Sequence, residues 1–107
     1  MARDHQYFVY IVECSDHLYY TGVTNDVEKR IWEHNTGIYP ESFTFKRRPV
    51  VLRYHERFVN INKAIEWEKQ VKGWSRKKKE ALFNYDWNEI VRLSNLKGGG
   101  QSSTRSD

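Results

Sequence analysis

Cysteine occurs once in this 107-residue chain, methionine once and proline twice. A lone cysteine cannot close an internal disulfide, which excludes a disulfide scaffold and predicts a reducing, cytoplasmic setting. No apolar run approaches the roughly 18 to 20 residues of a membrane span, so no membrane partner is expected. The first ten residues, MARDHQYFVY, place charge ahead of a short apolar stretch and lack a signal-peptide layout. Cysteine and the four scattered histidines offer no zinc spacing, and neither a P-loop nor a GxGxxG turn occurs. What the chain does hold is 18 Lys and Arg against 14 Asp and Glu, a net charge of +4, and 4 Trp, 7 Tyr and 5 Phe. A basic surface attracts polyanions by counterion release, with nucleic acid the commonest partner. Aromatic side chains serve as core or as stacking platforms for bases, and core is the simpler reading.

Residues 98–107, GGGQSSTRSD, carry no large apolar side chain and are expected to form a disordered Gly/Ser-rich tail behind a single domain over residues 1–97. Residues 7–14 (YFVYIVEC) form an apolar, β-branched and aromatic run that suits a strand buried on both faces. Ser15-Asp16-His17 is turn chemistry, and residues 18–23 (LYYTGV) supply the returning strand of a hairpin. A three-residue turn pairs Tyr10 with Gly22 and Val12 with Tyr20, which puts both tyrosines on one face as diagonal neighbours. Gly22 leaves space beside Tyr10.

A helix is predicted over 26–35, with Asn25 as N-cap, Glu28 at the third position and Gly37 as the stop. Val27 and Ile31 form its inward stripe, while Arg30 and His34, one turn apart, lie beside that stripe. A loop over 37–49 contains Lys46-Arg47-Arg48, and a third strand follows at 50–58. In the next helix, 62–72, Ala64, Trp67 and Val71 define an apolar arc into which Glu68 falls. An inward carboxylate costs free energy unless it meets a cation, a metal or several donors. Ser75 caps a third helix that carries the charge run from Arg76 to Glu80. A fourth helix is predicted over 86–96, with Trp87, Ile90, Val91 and Leu93 as its apolar positions.

Phe8 to Tyr10 (FVY), Tyr20 to Gly22 (YTG), Arg30, His34 and the EKQVK helix occur in an order that resembles the GIY-YIG endonuclease superfamily. The likeness is strongest to its small single-domain bacterial branch of the YhbQ and YazA type, and more distant to the N-terminal domain of UvrC. It spans roughly residues 7–83. The resemblance implies an α+β fold, a three-stranded antiparallel sheet flanked by helices. It also implies phosphodiester hydrolysis in DNA with Mg²⁺ or Mn²⁺, in repair or in the processing of branched, damaged or single-stranded DNA; the residues themselves do not distinguish DNA from RNA. Carried over residue by residue, the site would comprise Tyr10, Tyr20, Arg30, His34 and the metal-binding Glu68. Two departures touch no proposed chemical group: Phe8 stands for the first glycine and Thr21 for the central isoleucine. The asparagine that many relatives carry on the following helix has no counterpart, and Asn84 is the nearest asparagine.

Phosphodiester hydrolysis needs an activated water, charge neutralisation on the phosphate and help for the departing oxygen. Arg30 offers a fork of donors to phosphate oxygens, and Tyr20 an oxygen to orient or deprotonate water. In the plainer reading, the tyrosines are ordinary sheet aromatics and Glu68 forms a buried ion pair with Arg30. Lys46, Arg47 and Arg48, with Arg76, Lys77 and Lys78, could contact backbone phosphates, although a charged solvated surface explains the second cluster equally well. The rival functions are a non-catalytic nucleic-acid-binding module and a protein-interaction domain. A monomer or weak homodimer is expected.

Overall fold

The computed structural model describes residues 5–96, so the tail expected over 98–107 lies outside the described residues. The elements are β1 (Tyr7–Glu13), β2 (Tyr19–Thr24), α1 (Val27–Thr36), a 3₁₀ turn (Phe45–Arg47), β3 (Val51–Phe58), α2 (Ile61–Lys72), α3 (Arg76–Phe83) and α4 (Trp87–Leu96). Both strand pairings are antiparallel and the sheet order is β2-β1-β3, so this is an α+β fold built on a three-stranded antiparallel sheet. Contacts divide the chain after Glu68, inside α2, into two compact units.

In the first unit the most apolar strand takes the centre. Val9, Tyr10, Ile11 and Val12 are all fully buried, as a strand covered on both faces requires. The hairpin register is the expected one, with Tyr10 opposite Gly22 and Val12 opposite Tyr20. It is closed by the Cys14 N–H donating to the Leu18 carbonyl at 2.8 Å, while His17 takes a left-handed φ of 70°. On the other side β1 pairs Tyr10 with His55 and Ile11 with Tyr54, and a register shift at Ile11/Val12 leaves Arg53 without an opposite residue. Along β3, Tyr54 is buried while Arg53 and His55 beside it are exposed, the alternation of an edge strand with one wet face.

The start of α1 differs from expectation by one residue. Asp26, not Asn25, is the N-cap: its backbone is extended and its carboxylate accepts from the Lys29 N–H at 3.0 Å. The reason lies upstream, where the Thr24 hydroxyl accepts the Asp26 N–H at 3.1 Å and holds that residue outside the helix. Gly37 ends α1 as expected, at φ 72° and ψ 35°, donating to the carbonyls of Glu33 and His34. The buried positions of α1 are Glu33 and His34, whereas Val27 and Ile31 are half-buried. Ile31 still packs on the cluster of Tyr10, Val12, Cys14 and Val50.

α2 is held to β3 by the Trp67 indole N–H, which donates to the Tyr54 hydroxyl at 3.0 Å. Tyr54 pairs with Ile11, so its side chain leaves the sheet on the face opposite Tyr10.

In the second unit the buried side chains are Val71, Trp74, Lys79, Ala81, Leu82 and Ile90. Ser75 caps α3 by accepting from the Lys78 N–H, Asp86 accepts from the Glu89 N–H at the start of α4, and the two helices pack together. Of the four apolar positions expected in α4, Ile90 is buried and Leu93 half-buried, but Trp87 and Val91 are 47% and 55% exposed. The correction follows from helix geometry. The covered arc is centred between Ile90 and Leu93, and Trp87 and Val91 lie roughly a quarter turn or more away from it.

Candidate active site

Folding brings four of the five predicted site residues together on one face of the sheet. Register places Tyr10 and Tyr20 there on adjacent strands, with ring centroids 6.3 Å apart. The N-cap and the Gly37 stop set the reach of α1, and the helical repeat aims Arg30 and His34 at the same place. His34 Nε2 lies 2.9 Å from the Tyr10 hydroxyl, within hydrogen-bond distance, and the His34 ring meets Tyr20 edge-on at 5.5 Å. The Arg30 charge lies close enough to the Tyr10 phenol to pull against the rise in its pKa. Tyr10 is completely buried and lies over Gly22, where a Cβ would stand 2.7 Å from the tyrosine oxygen.

Burial divides these groups into two tiers. Tyr10 and His34 are buried, whereas Tyr20 is half-buried and the Arg30 side chain is 36% exposed. Of these four, Tyr20 and Arg30 are the pair open to solvent. Burial above all, with the neighbouring Tyr20 second, pushes the Tyr10 phenol up to about 12 against the pull of Arg30. Tyr10 therefore keeps its proton. Burial and then the Arg30 charge hold His34 below its ordinary value, with Glu33 opposing, and keep the imidazole neutral.

Two further residues complete the cluster. Glu33 is buried and accepts from Arg30 Nε at 3.0 Å, so the carboxylate partner of Arg30 is Glu33 rather than Glu68. Its spacing of three from Arg30 on a helix was the available sequence signal. Thr44 is fully buried with its hydroxyl 2.7 Å from His34 Nδ1, and nothing in an irregular loop announces such a contact. Phe43, beside it, stacks on Tyr20 at 5.9 Å and 21°. One loop thus touches both a tyrosine and the histidine of the cluster.

Glu68 is half-buried on α2, one turn after the fully buried Ala64. Among the described residues no three His, Cys, Asp or Glu side chains gather into a metal cage. A single carboxylate does not suit zinc, but it fits a hard ion such as Mg²⁺ that keeps its waters and takes phosphate oxygens as further ligands.

The basic residues separate by what they touch. Lys46 and Lys77 are exposed. Arg47 donates to Asp16 and the Phe43 carbonyl and lies over the Phe43 ring at 4.0 Å, while Arg48 donates to the Phe45 carbonyl and covers the Phe45 ring. Both arginines therefore brace the loop. In the second unit Arg76 pairs with Glu80 at 3.2 Å, and the Lys78 ammonium sits 4.4 Å from the centroid of the Trp74 ring.

The chain as a whole is similar to known proteins. Residues 6–81 match the GIY-YIG catalytic domain. The UPF0213 protein of Halobacterium salinarum is 48% identical over 75 residues, covering 70% of this chain and 96% of that one. A UPF0213 protein of Bacillus pumilus is 42% identical over 76 residues, covering 71% and 76%. Among solved structures, a protein of E. faecalis determined by solution NMR aligns over 96% of this chain and all of that one, at 27% identity and a TM-score of 0.52. With the family match spanning more than half of its length, the chain belongs to the GIY-YIG family, alongside the UPF0213 proteins.

Proposed function

We propose that the protein is a metal-assisted endonuclease that hydrolyses phosphodiester bonds in DNA, taking branched, damaged or single-stranded forms in repair or processing. The observation that supports this reading most is the two-tiered cluster, in which Tyr20 and Arg30 face outward over the buried Tyr10–His34 pair.

In this reading Arg30 binds the scissile phosphate through the part of its fork that Glu33 leaves open, and its charge offsets the build-up on the phosphate oxygens. Glu33, bonded to Nε, fixes the plane of that fork. Tyr20 orients the attacking water or takes its proton. Tyr10, which stays protonated up to about pH 12, is a hydrogen-bonding support rather than a base. Both ring nitrogens of His34 already have partners, so His34 serves the cluster by holding Tyr10 in place. Glu68 stands on α2, outside the cluster of four, and is the carboxylate that would hold a divalent ion and through it supply charge neutralisation. Exposed Lys46, on the loop that carries Phe43 and Thr44, would hold a flanking phosphate.

A panel of labelled single-stranded, nicked, branched and duplex DNAs, incubated with Mg²⁺ or Mn²⁺, tests the reading. Cleavage that vanishes with chelator and in Tyr20→Phe, Arg30→Ala and Glu68→Gln is the expected outcome. Salt-sensitive binding without product on any substrate, including RNA, would replace it with the non-catalytic binding module.

A further inference from the structure

Thr44 is a residue to which the resemblance assigns no role, yet it closes a chain of hydrogen bonds that has only one consistent direction. Tyr10 is fully buried, so the proton of its hydroxyl has to be given to an acceptor, and among the described residues the partner beside that hydroxyl is His34 Nε2 at 2.9 Å. That nitrogen must then be bare, and in a neutral imidazole the proton sits on Nδ1. Nδ1 lies 2.7 Å from the Thr44 hydroxyl, which in turn lies 3.3 Å from the hydroxyl of Ser42.

Resting on the nuclease reading above, we propose that Thr44 is a positioning residue: by accepting the His34 Nδ1–H it holds the histidine in the tautomer that receives the Tyr10 proton, and so fixes the buried tyrosine beside Tyr20. The chain then runs Tyr10 to His34 to Thr44 to Ser42, each donating to the next. If the tautomer reversed, Nε2 would donate to the phenolic oxygen, and the Tyr10 proton would be buried without an acceptor. A group left in that state costs about 1–3 kcal/mol, so the tautomer is strongly set. The same loop stacks Phe43 on Tyr20, which couples the placement of Thr44 to the outer tyrosine as well.

The direct test is the tautomer of His34, read by long-range ¹⁵N–¹H NMR of the intact protein near neutral pH. The wild-type protein is expected to show Nδ1–H and a bare Nε2, unchanged in Thr44→Ser, whereas the near-isosteric Thr44→Val brings in the Nε2–H form. Single-turnover cleavage should fall about tenfold in rate in Thr44→Val, with little change in DNA affinity, and recover in Thr44→Ser; tenfold corresponds to about 1.4 kcal/mol. Nε2–H in the wild-type protein, or a Thr44→Val spectrum identical to it, overturns the proposal. Should Thr44→Val fail to fold, the wild-type and Thr44→Ser spectra still decide. A correct tautomer in a protein that cleaves nothing would leave the positioning role standing and remove the nuclease reading instead.

Discussion

Single side chains set the site through close fit. Tyr10 reaches His34 only because residue 22 has no Cβ, since any Cβ there would meet the tyrosine oxygen and ring at 2.7 to 2.9 Å. Tyr10 is sealed in the sheet and cannot swing away, so Gly22→Ala should lower stability by about 1–3 kcal/mol in urea titration and reduce cleavage with it. Thr21 presents the opposite case. Its buried hydroxyl has no hydrogen-bond partner, and Thr21→Val should raise stability by about 1 kcal/mol without altering cleavage. His34 adds a pH dependence of definite sign. Its folded value lies below the ordinary 6.5, so its contribution to stability is present above that value and is lost as pH falls through the lowered one. Denaturation midpoints measured from pH 7 downward should fall, and His34→Gln should flatten that slope. The tyrosine pair and Gly22 were legible in the sequence because they depend on strand parity. Thr44 was not, because its contact with His34 joins a helix to a loop that has no periodicity to read.

Elements placed the candidate site as far as local chemistry reached. The hairpin register followed from a three-residue turn, and the structure reproduces it residue for residue. The stop of α1 at Gly37 was equally local, resting on one left-handed residue. Its start was displaced to Asp26 by the bond from Asp26 N–H to the Thr24 hydroxyl, a preference that composition does not rank. Asp26→Ala should therefore cost about 1 kcal/mol, and Asn25→Ala much less, in parallel chemical denaturation. Periodicity misjudged the inner face of α1, because the deepest side chains there are polar, Glu33 and His34. They lie deep because Arg30, Tyr10 and Thr44 satisfy them, and a hydrophobicity pattern carries no record of such partners.

Across the whole molecule the net charge of +4 is spread over groups with different duties. Arg47 and Arg48 are engaged within their loop, and Arg76 with Glu80, whereas Lys46 on the same loop is exposed. DNA affinity measured by anisotropy should weaken as salt rises, and Lys46→Ala should reduce the logarithmic slope by about 1 without abolishing binding. Removing Arg47 should instead loosen the loop that carries Phe43 and Thr44, and its effect should appear in stability before it appears in the salt slope. By itself the sequence determined the order of strands and helices, the hairpin register, the helix stop and the family, because turns, caps and strand alternation act over a few neighbouring residues. Tertiary structure alone decided that Glu33 rather than Glu68 holds Arg30, that Tyr10 and His34 are buried behind Tyr20 and Arg30, and that Thr44 meets the histidine. Those contacts depend on how a helix, a sheet and an irregular loop close on one another, and hydrogen bonds between such distant segments leave no local pattern in the chain.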